Sequence, residues 1–265
     1  MTVRTLLLAA AAAVIAAPSL GAQERREEEF RWSGRVEPGR AVEIRGLNGG
    51  ITAMRGTGPE VEVVAIKSGR RSDPTTVSIQ VIPHADGVTL CALYPTPAGR
   101  REQNECGPGF SNMSTNNNDV SVEYTVRVPD GVRLLARTTN GGVEVNGLTG
   151  DVDVSTTNGG ITIATAGMAK ARTTNGSLDV SIGTLRGTED LDFRTTNGGI
   201  TLRVPTGLNA NLRAVTTNGG ITSDFPITVQ GTFGPRRLEG VIGSGGRQIV
   251  LQTTNGDVQL LRAGG

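Results

Sequence analysis

The chain is short of bulky side chains. Of its 265 residues only eight are aromatic, five Phe, two Tyr and one Trp, so it has little with which to fill a wide core. That scarcity argues against a conventional α/β enzyme domain and against a helical bundle, although 36% hydrophobic residues still suffice for a narrow core. There is one histidine and there are two cysteines, too few ligands for a metal centre. Neither sign of charge is in excess, with 26 basic residues against 25 acidic ones. Without a surplus of positive charge there is no basis for phosphate neutralisation, so no nucleic-acid partner is expected. Glycine is abundant at 38 residues but lacks the three-residue period of collagen.

The first 22 residues carry one cation, Arg4, then an apolar run from Leu6 to Ala17 and a small-residue exit, Pro18-Ser19-Leu20-Gly21-Ala22. This is the pattern of a secretory signal cleaved near Ala22. An uncleaved anchor is the alternative, but the run is Ala-rich and shorter than the ~20 residues a span needs. No later segment is long and apolar enough to cross a bilayer as a helix. The expected address is therefore the periplasm or the cell surface. In an oxidising compartment Cys91 and Cys106 most simply form one disulfide. It would close a polar loop around Pro95, Pro97 and Gly99 and contribute roughly 3 kcal/mol through loop-closure entropy.

What the sequence has in quantity is a repeat. Thr-Thr-Asn-Gly occurs six times, with its Asn at Asn140, Asn158, Asn175, Asn197, Asn218 and Asn255. A seventh relative, Leu47-Asn48-Gly49-Gly50-Ile51, lies near the start. Successive gaps in the six are 18, 17, 22, 21 and 37 residues, and the last suggests two periods with one degenerate copy between. Four residues before the Asn stand Ala136, Val154, Ala171, Phe193, Ala214 and Leu251. Three after it stand Val143, Ile161, Leu178, Ile200, Ile221 and Val258. Apolar residues alternate with polar ones on both sides, so each copy reads as two short strands with one buried face.

Two all-β folds fit. Asn-Gly is the preferred two-residue hairpin turn, and a repeated-hairpin sheet would pair Arg137 with Glu144 and Arg172 with Asp179. In a β-solenoid, a right-handed single-stranded β-helix of ~17–22-residue coils, Asn-Gly instead makes a corner, and identical corners stack into side-chain ladders. Hairpin turns have no need of two preceding threonines, so the repeated Thr-Thr-Asn favours the solenoid. At ~20 residues per coil and ~4.8 Å between strands the rod would be on the order of 50–60 Å long.

The expected layout is a signal peptide over 1–22, a disordered polar linker over 23–29 and one β-solenoid domain over 30–262. Within the domain, 30–130 is irregular, with a disulfide-clipped insertion at about 95–119, and 131–262 holds the regular repeats. Val128-Pro129-Asp130-Gly131 and Val204-Pro205-Thr206-Gly207 each lead into a Thr-Thr-Asn-Gly copy. With these motifs, Leu47–Ile51, Asp224-Phe225-Pro226 and Gly243-Ser244-Gly245-Gly246, the sequence resembles the bacterial "putative adhesin" β-strand-repeat family, domain of unknown function 4097. The resemblance extends over nearly all the mature chain. It implies an exported, envelope-associated β-solenoid without established catalytic residues.

Candidate chemistry is sparse. His84 follows a strand-like run and reads as a surface residue, and Cys91 as a nucleophile is undercut by its pairing with Cys106. The glycines lack the Lys-Ser/Thr of a phosphate loop, and the corners lack the calcium-binding β-roll pattern. Glu189, Asp190 and Asp192, with Arg194 and Arg203, form the one cluster that suits cleavage of an acidic polysaccharide; the competing reading is a solvated loop. No catalytic, cofactor or metal residue is assigned, and the seven Asn are read as structural corners. The leading expectation is a non-enzymatic adhesin or surface scaffold meeting glycans or envelope proteins. The alternatives are a structural or sensory module that binds protein partners through an end coil such as Gln252–Leu261, and a polysaccharide-active enzyme.

Overall fold

The computed structural model describes residues 26–185, 189–229 and 234–263; the expected signal peptide lies outside them. The chain opens with β1 (Arg26–Arg35), β2 (Ala41–Arg45), β3 (Ile51–Arg55) and β4 (Glu60–Gly69). After a single 3-10 turn come β5 (Ser78–His84), β6 (Gly87–Leu93), a hairpin of β7 (Glu105–Gly107) and β8 (Phe110–Asn112), and β9 (Ser121–Val128). The repeats then alternate β10 (Arg133–Arg137), β11 (Val143–Leu148), β12 (Val152–Ser155), β13 (Ile161–Thr165), β14 (Ala169–Arg172) and β15 (Leu178–Ile182). They continue through β16 (Leu191–Arg194), β17 (Ile200–Val204), β18 (Ala210–Val215) and β19 (Ile221–Ser223). Last are β20 (Thr228–Val229), β21 (Arg237–Ile242), β22 (Arg247–Gln252) and β23 (Val258–Arg262).

Each repeat sends the strand before its corner into one sheet and the strand after it into another. The first sheet runs β1-β4-β9-β3-β11-β13-β15-β17-β23-β19, and the second β20-β21-β18-β22-β16-β14-β12-β10-β2-β6-β5. Neighbouring coils pair in parallel and in the register of the repeat: Leu134 lies beside Val152, and Ala136 beside Val154. The solenoid therefore replaces the hairpin alternative. Arg137 pairs with Ser155 and Arg45 on adjacent coils, not with Glu144. Alternate side chains point between the sheets, where Ala136, Val143, Ile163, Leu178, Phe193 and Leu202 are buried. Small and branched residues suffice because the space between the sheets is narrow. Ile221 is less buried, since β19 is the outermost strand of its sheet.

Coil order departs from chain order at both ends. The final coil, β22 and β23, is not terminal: Ile249 lies between Leu191 of β16 and Leu212 of β18, and Val258 between Ile200 and Ile221. Among its described residues the 37-residue gap therefore holds no degenerate coil. In it, β21 lies antiparallel on β18 and β20 on β21, and the chain then returns to insert inside the stack. Gln252–Leu261 is accordingly interior, not the free edge expected of it. The N-terminal end mirrors this, because β2 and β3 lie inside β6 and β9. Antiparallel strands finish that end, β4 and β1 on one sheet and β5 on the other. Residues 26–29, expected in a linker, are the first part of β1, where Arg26 pairs with Gly69. Sheets of 10 and 11 strands span roughly 43–48 Å at ~4.8 Å per strand, shorter than expected because the insertion and the returning segment add residues without adding coils.

The insertion folds back on the outer face of the second sheet. Cys91 of β6 is bonded to Cys106 of β7. Asn104 ties the loop together, its Nδ2 donating to the Tyr94 and Ser114 carbonyls at 2.9 and 2.8 Å. Tyr94 is buried at the root of the insertion and donates to the Val120 carbonyl at 2.9 Å. Burial pushes its hydroxyl up to about 12. Because the last coil is interior, deleting residues 247–265 should do more than shorten the rod. Amide protection in β16–β19 should collapse while β10–β13 stay protected, as read by hydrogen exchange; equal protection throughout would contradict the inserted coil.

Candidate functional site

The corners explain the repeated tetrapeptide residue by residue. The first Thr of each copy is buried, and its hydroxyl donates to the Gly carbonyl of an adjacent coil: Thr156 to Gly141 at 2.8 Å, Thr173 to Gly159 at 2.9 Å, Thr253 to Gly198 at 2.8 Å. The Asn amides form a continuous ladder. Asn140 donates to Asn48 at 2.9 Å, Asn158 to Asn140 at 2.7 Å and Asn175 to Asn158 at 2.8 Å. Asn197 donates to Asn175 at 2.7 Å, Asn255 to Asn197 at 2.7 Å and Asn218 to Asn255 at 2.8 Å. Backbones join in as well, with Gly159 N donating to Asn175 O at 2.9 Å. Each Gly is required by close approach: a Cβ on Gly176 would collide with the Gly159 carbonyl. The seven Asn are thus brought together in one row, and they bind one another.

The outer face of the first sheet carries an in-register row that includes Thr52, Glu144, Thr162, Asp179, Thr201 and Gln259. On the second sheet the outward side chains cross-link neighbouring coils through ion pairs. Arg137 meets Asp153 at 2.9 Å and Arg172 meets Asp192 at 2.6 Å across coils, while Arg194 meets Asp192 at 2.6 Å within one strand. Exposed pairs of this kind contribute about 0–1 kcal/mol each.

The acidic cluster does not converge. Asp192 lies between its two arginines; burial would push its carboxyl up, but bonds from Arg194 and Arg172 outweigh this and hold it below the usual range. Asp190 accepts from the backbone N of Gln248 at 2.9 Å, Glu189 is exposed, and Arg203 lies on the other sheet, paired with Asp179. Among the described residues no group of three or more His, Cys, Asp or Glu is placed to hold a metal ion. No helix among them is long and apolar enough to cross a membrane.

Glu43 is the functional-looking residue that the sequence pattern hides. It occupies an outward position of β2, yet it is only 3% exposed, because the insertion covers it. It accepts from Gly109 N at 3.0 Å and Thr89 Oγ1 at 2.9 Å, and pairs with Arg45 at 2.6 Å. His84 Nε2 lies 3.1 Å from Thr89 Oγ1. With the Thr89 proton given to Glu43, His84 is the donor in that contact. Burial pushes the Glu43 carboxyl up, but the bonds from Gly109, Arg45 and Thr89 prevail and leave it below its ordinary value. The network clamps the insertion to the sheet.

A two-sheet parallel stack with self-complementary polar corners defines a β-repeat solenoid. The Toastrack DUF4097 family model matches residues 110–261, more than half of the chain, and the chain belongs to that family. The match starts inside the insertion, so the N-terminal coils and caps lie outside it. No curated protein matches the sequence. Among solved structures, a "putative cell adhesion protein" from Clostridium sporogenes ATCC 15579 is similar at 12% identity and a TM-score of 0.47, covering 89% of this chain and 100% of its own. A "putative adhesin" from Bacteroides fragilis NCTC 9343 follows at 11% identity and a TM-score of 0.36, covering 89% and 97%. Another from Parabacteroides merdae ATCC 43184 has 10% identity and a TM-score of 0.29, covering 88% and 96%.

Two measurements check these assignments. Asn175→Ala removes two rungs of the ladder and should cost about 1–2 kcal/mol in urea unfolding; no change would make the ladder decorative. The second concerns Glu43. Since its folded pKa is lowered, its stabilisation is complete above the unfolded value of about 4.3 and is lost as pH falls below it. Protection of the Gly109 amide should therefore drop on acidification below about pH 4, and Glu43→Gln should abolish that step.

Proposed function

We propose that this protein is an exported, non-enzymatic component of the cell envelope, in the periplasm or at the cell surface, acting as an adhesin or surface scaffold. The observation that carries the reading is the row from Thr52 through Gln259, which presents one outward polar group per coil at ~4.8 Å intervals. A glycan chain or an extended envelope protein meets a polar group again at each coil, so individually weak contacts add. Export is supported by the Leu6–Ala17 run and by the Cys91–Cys106 disulfide, which suits an oxidising compartment. The non-catalytic reading is supported by Asp190 and Asp192, whose carboxylates are engaged in holding adjacent strands.

A second reading, a structural or sensory module that meets protein partners end-on, is favoured by one feature. Strand β19 ends the first sheet with no capping strand beyond it among the described residues, so a partner strand would add at Ile221–Ser223. Crosslinking of the tagged protein in cells, followed by mass spectrometry, separates the two. Capture of glycan that is lost in a Thr162→Ala/Thr201→Ala variant is the expected result. Capture of resident envelope proteins through Ile221–Ser223 would replace the adhesin reading with the end-on one.

A further inference from the structure

We propose that the N-terminal end of the solenoid carries a binding groove for an acidic oligosaccharide, built on Trp32, Arg35 and Arg40. This goes beyond the display reading and does not depend on it, because the groove lies at the end of the stack, away from the row of Thr162 and Thr201.

Trp32 is the one tryptophan of the chain. It stands on β1, the last strand of the first sheet, and among the described residues no further coil covers it. The indole is partly buried and packs against the core. It lies along its own strand over Gly34, where any Cβ would collide with the ring. Its Nε1–H has no hydrogen-bond partner among the described residues. The ring lines a hollow of about 280 Å³ together with Arg35, Glu37, Arg40, Pro83 and His84.

Two cations face this hollow against one carboxylate. Arg35 is exposed and pairs with Glu37 at 3.0 Å. Arg40 donates through Nη1 to the Ala85 carbonyl, which fixes its guanidinium at the rim, and it has no carboxylate partner among the described residues. An aromatic surface beside a positioned guanidinium suits a sugar ring that carries a carboxylate, since the planar fork of Arg can take a carboxylate through two parallel bonds. The indole N–H supplies a further directional donor. Arg35, Val36 and Glu37 also line a neighbouring hollow with Pro38, Pro59 and Asp130, whose carboxylate is engaged by Arg55. The two hollows share that segment, so a short chain of sugars rather than a single ring is the probe of choice.

Because Trp32 is the sole tryptophan, its fluorescence reports on this groove in the intact protein. Tetragalacturonic acid should change the emission saturably, and added salt should weaken the effect; maltotetraose, neutral and of the same length, should leave it unchanged. Arg35→Gln and Arg40→Gln should each weaken binding about tenfold with the unfolding midpoint unaltered. Thr162→Ala/Thr201→Ala should leave the response intact, which keeps this site distinguishable from the display face. The proposal is overturned if tetragalacturonic acid gives neither an emission change nor a calorimetric signal. It is overturned equally if maltotetraose binds as well, or if both Arg variants bind like the parent.

Discussion

The structure depends on the stacked corner. At each Thr-Thr-Asn-Gly the Asn side chain, the first Thr hydroxyl and two backbone groups bond to adjacent coils, and the Gly permits the approach. A parallel sheet alone leaves the register between coils to the hydrophobic pattern, which a slip of two residues would still satisfy. The corner removes that freedom, because the ladder closes only when every Asn lies beside its neighbour. With register settled there, small residues can make up the core, and the scarcity of aromatics ceases to be a handicap.

A stack built this way has a problem at its ends, where strand edges stay open and invite further pairing. This chain deals with it by folding back. At each end the strands run outward, turn through antiparallel segments and return, so that one inner coil, β2 and β3 at one end and β22 and β23 at the other, is held on both sides by chain that is distant in sequence. The charged strand β1, with Glu27, Glu29 and Arg31 on its exposed side, makes further pairing at the N-terminal end unfavourable. At the other end the short strands β19 and β20 are the outermost strands of the two sheets among the described residues.

These features divide the surface by use. The Asn corners are consumed by the stack, and the second sheet is laced with ion pairs and partly covered by the clamped insertion. The outer face of the first sheet keeps its row of polar groups, with Asp179 paired to Arg203, and a hollow lined by Trp32 lies at the N-terminal end. The first offers repetition, which suits weak contact with polymers; the second offers shape and charge, which suits one kind of sugar.

Much of this was legible in the linear text because the determining forces act locally and repeat. Alternation around Asn-Gly named the buried residues, from Leu134 to Leu260, and the invariant threonines separated corners from hairpin turns. Cys91 and Cys106 were readable as a pair because only two cysteines exist. Spacing could not show that the last copy is an inner coil: a 37-residue gap has the same length whether it holds a degenerate coil or a cap and a return. Nor could alternation show that Glu43 is buried, since its position is outward by every local rule and is covered only by a loop more than fifty residues away. The sequence by itself determined the coil, its period and its polar corner, because these rest on neighbours within one repeat. Tertiary structure decided the order of the coils, the clamp on the insertion and the groove at Trp32, because each depends on contacts between segments that no local pattern links.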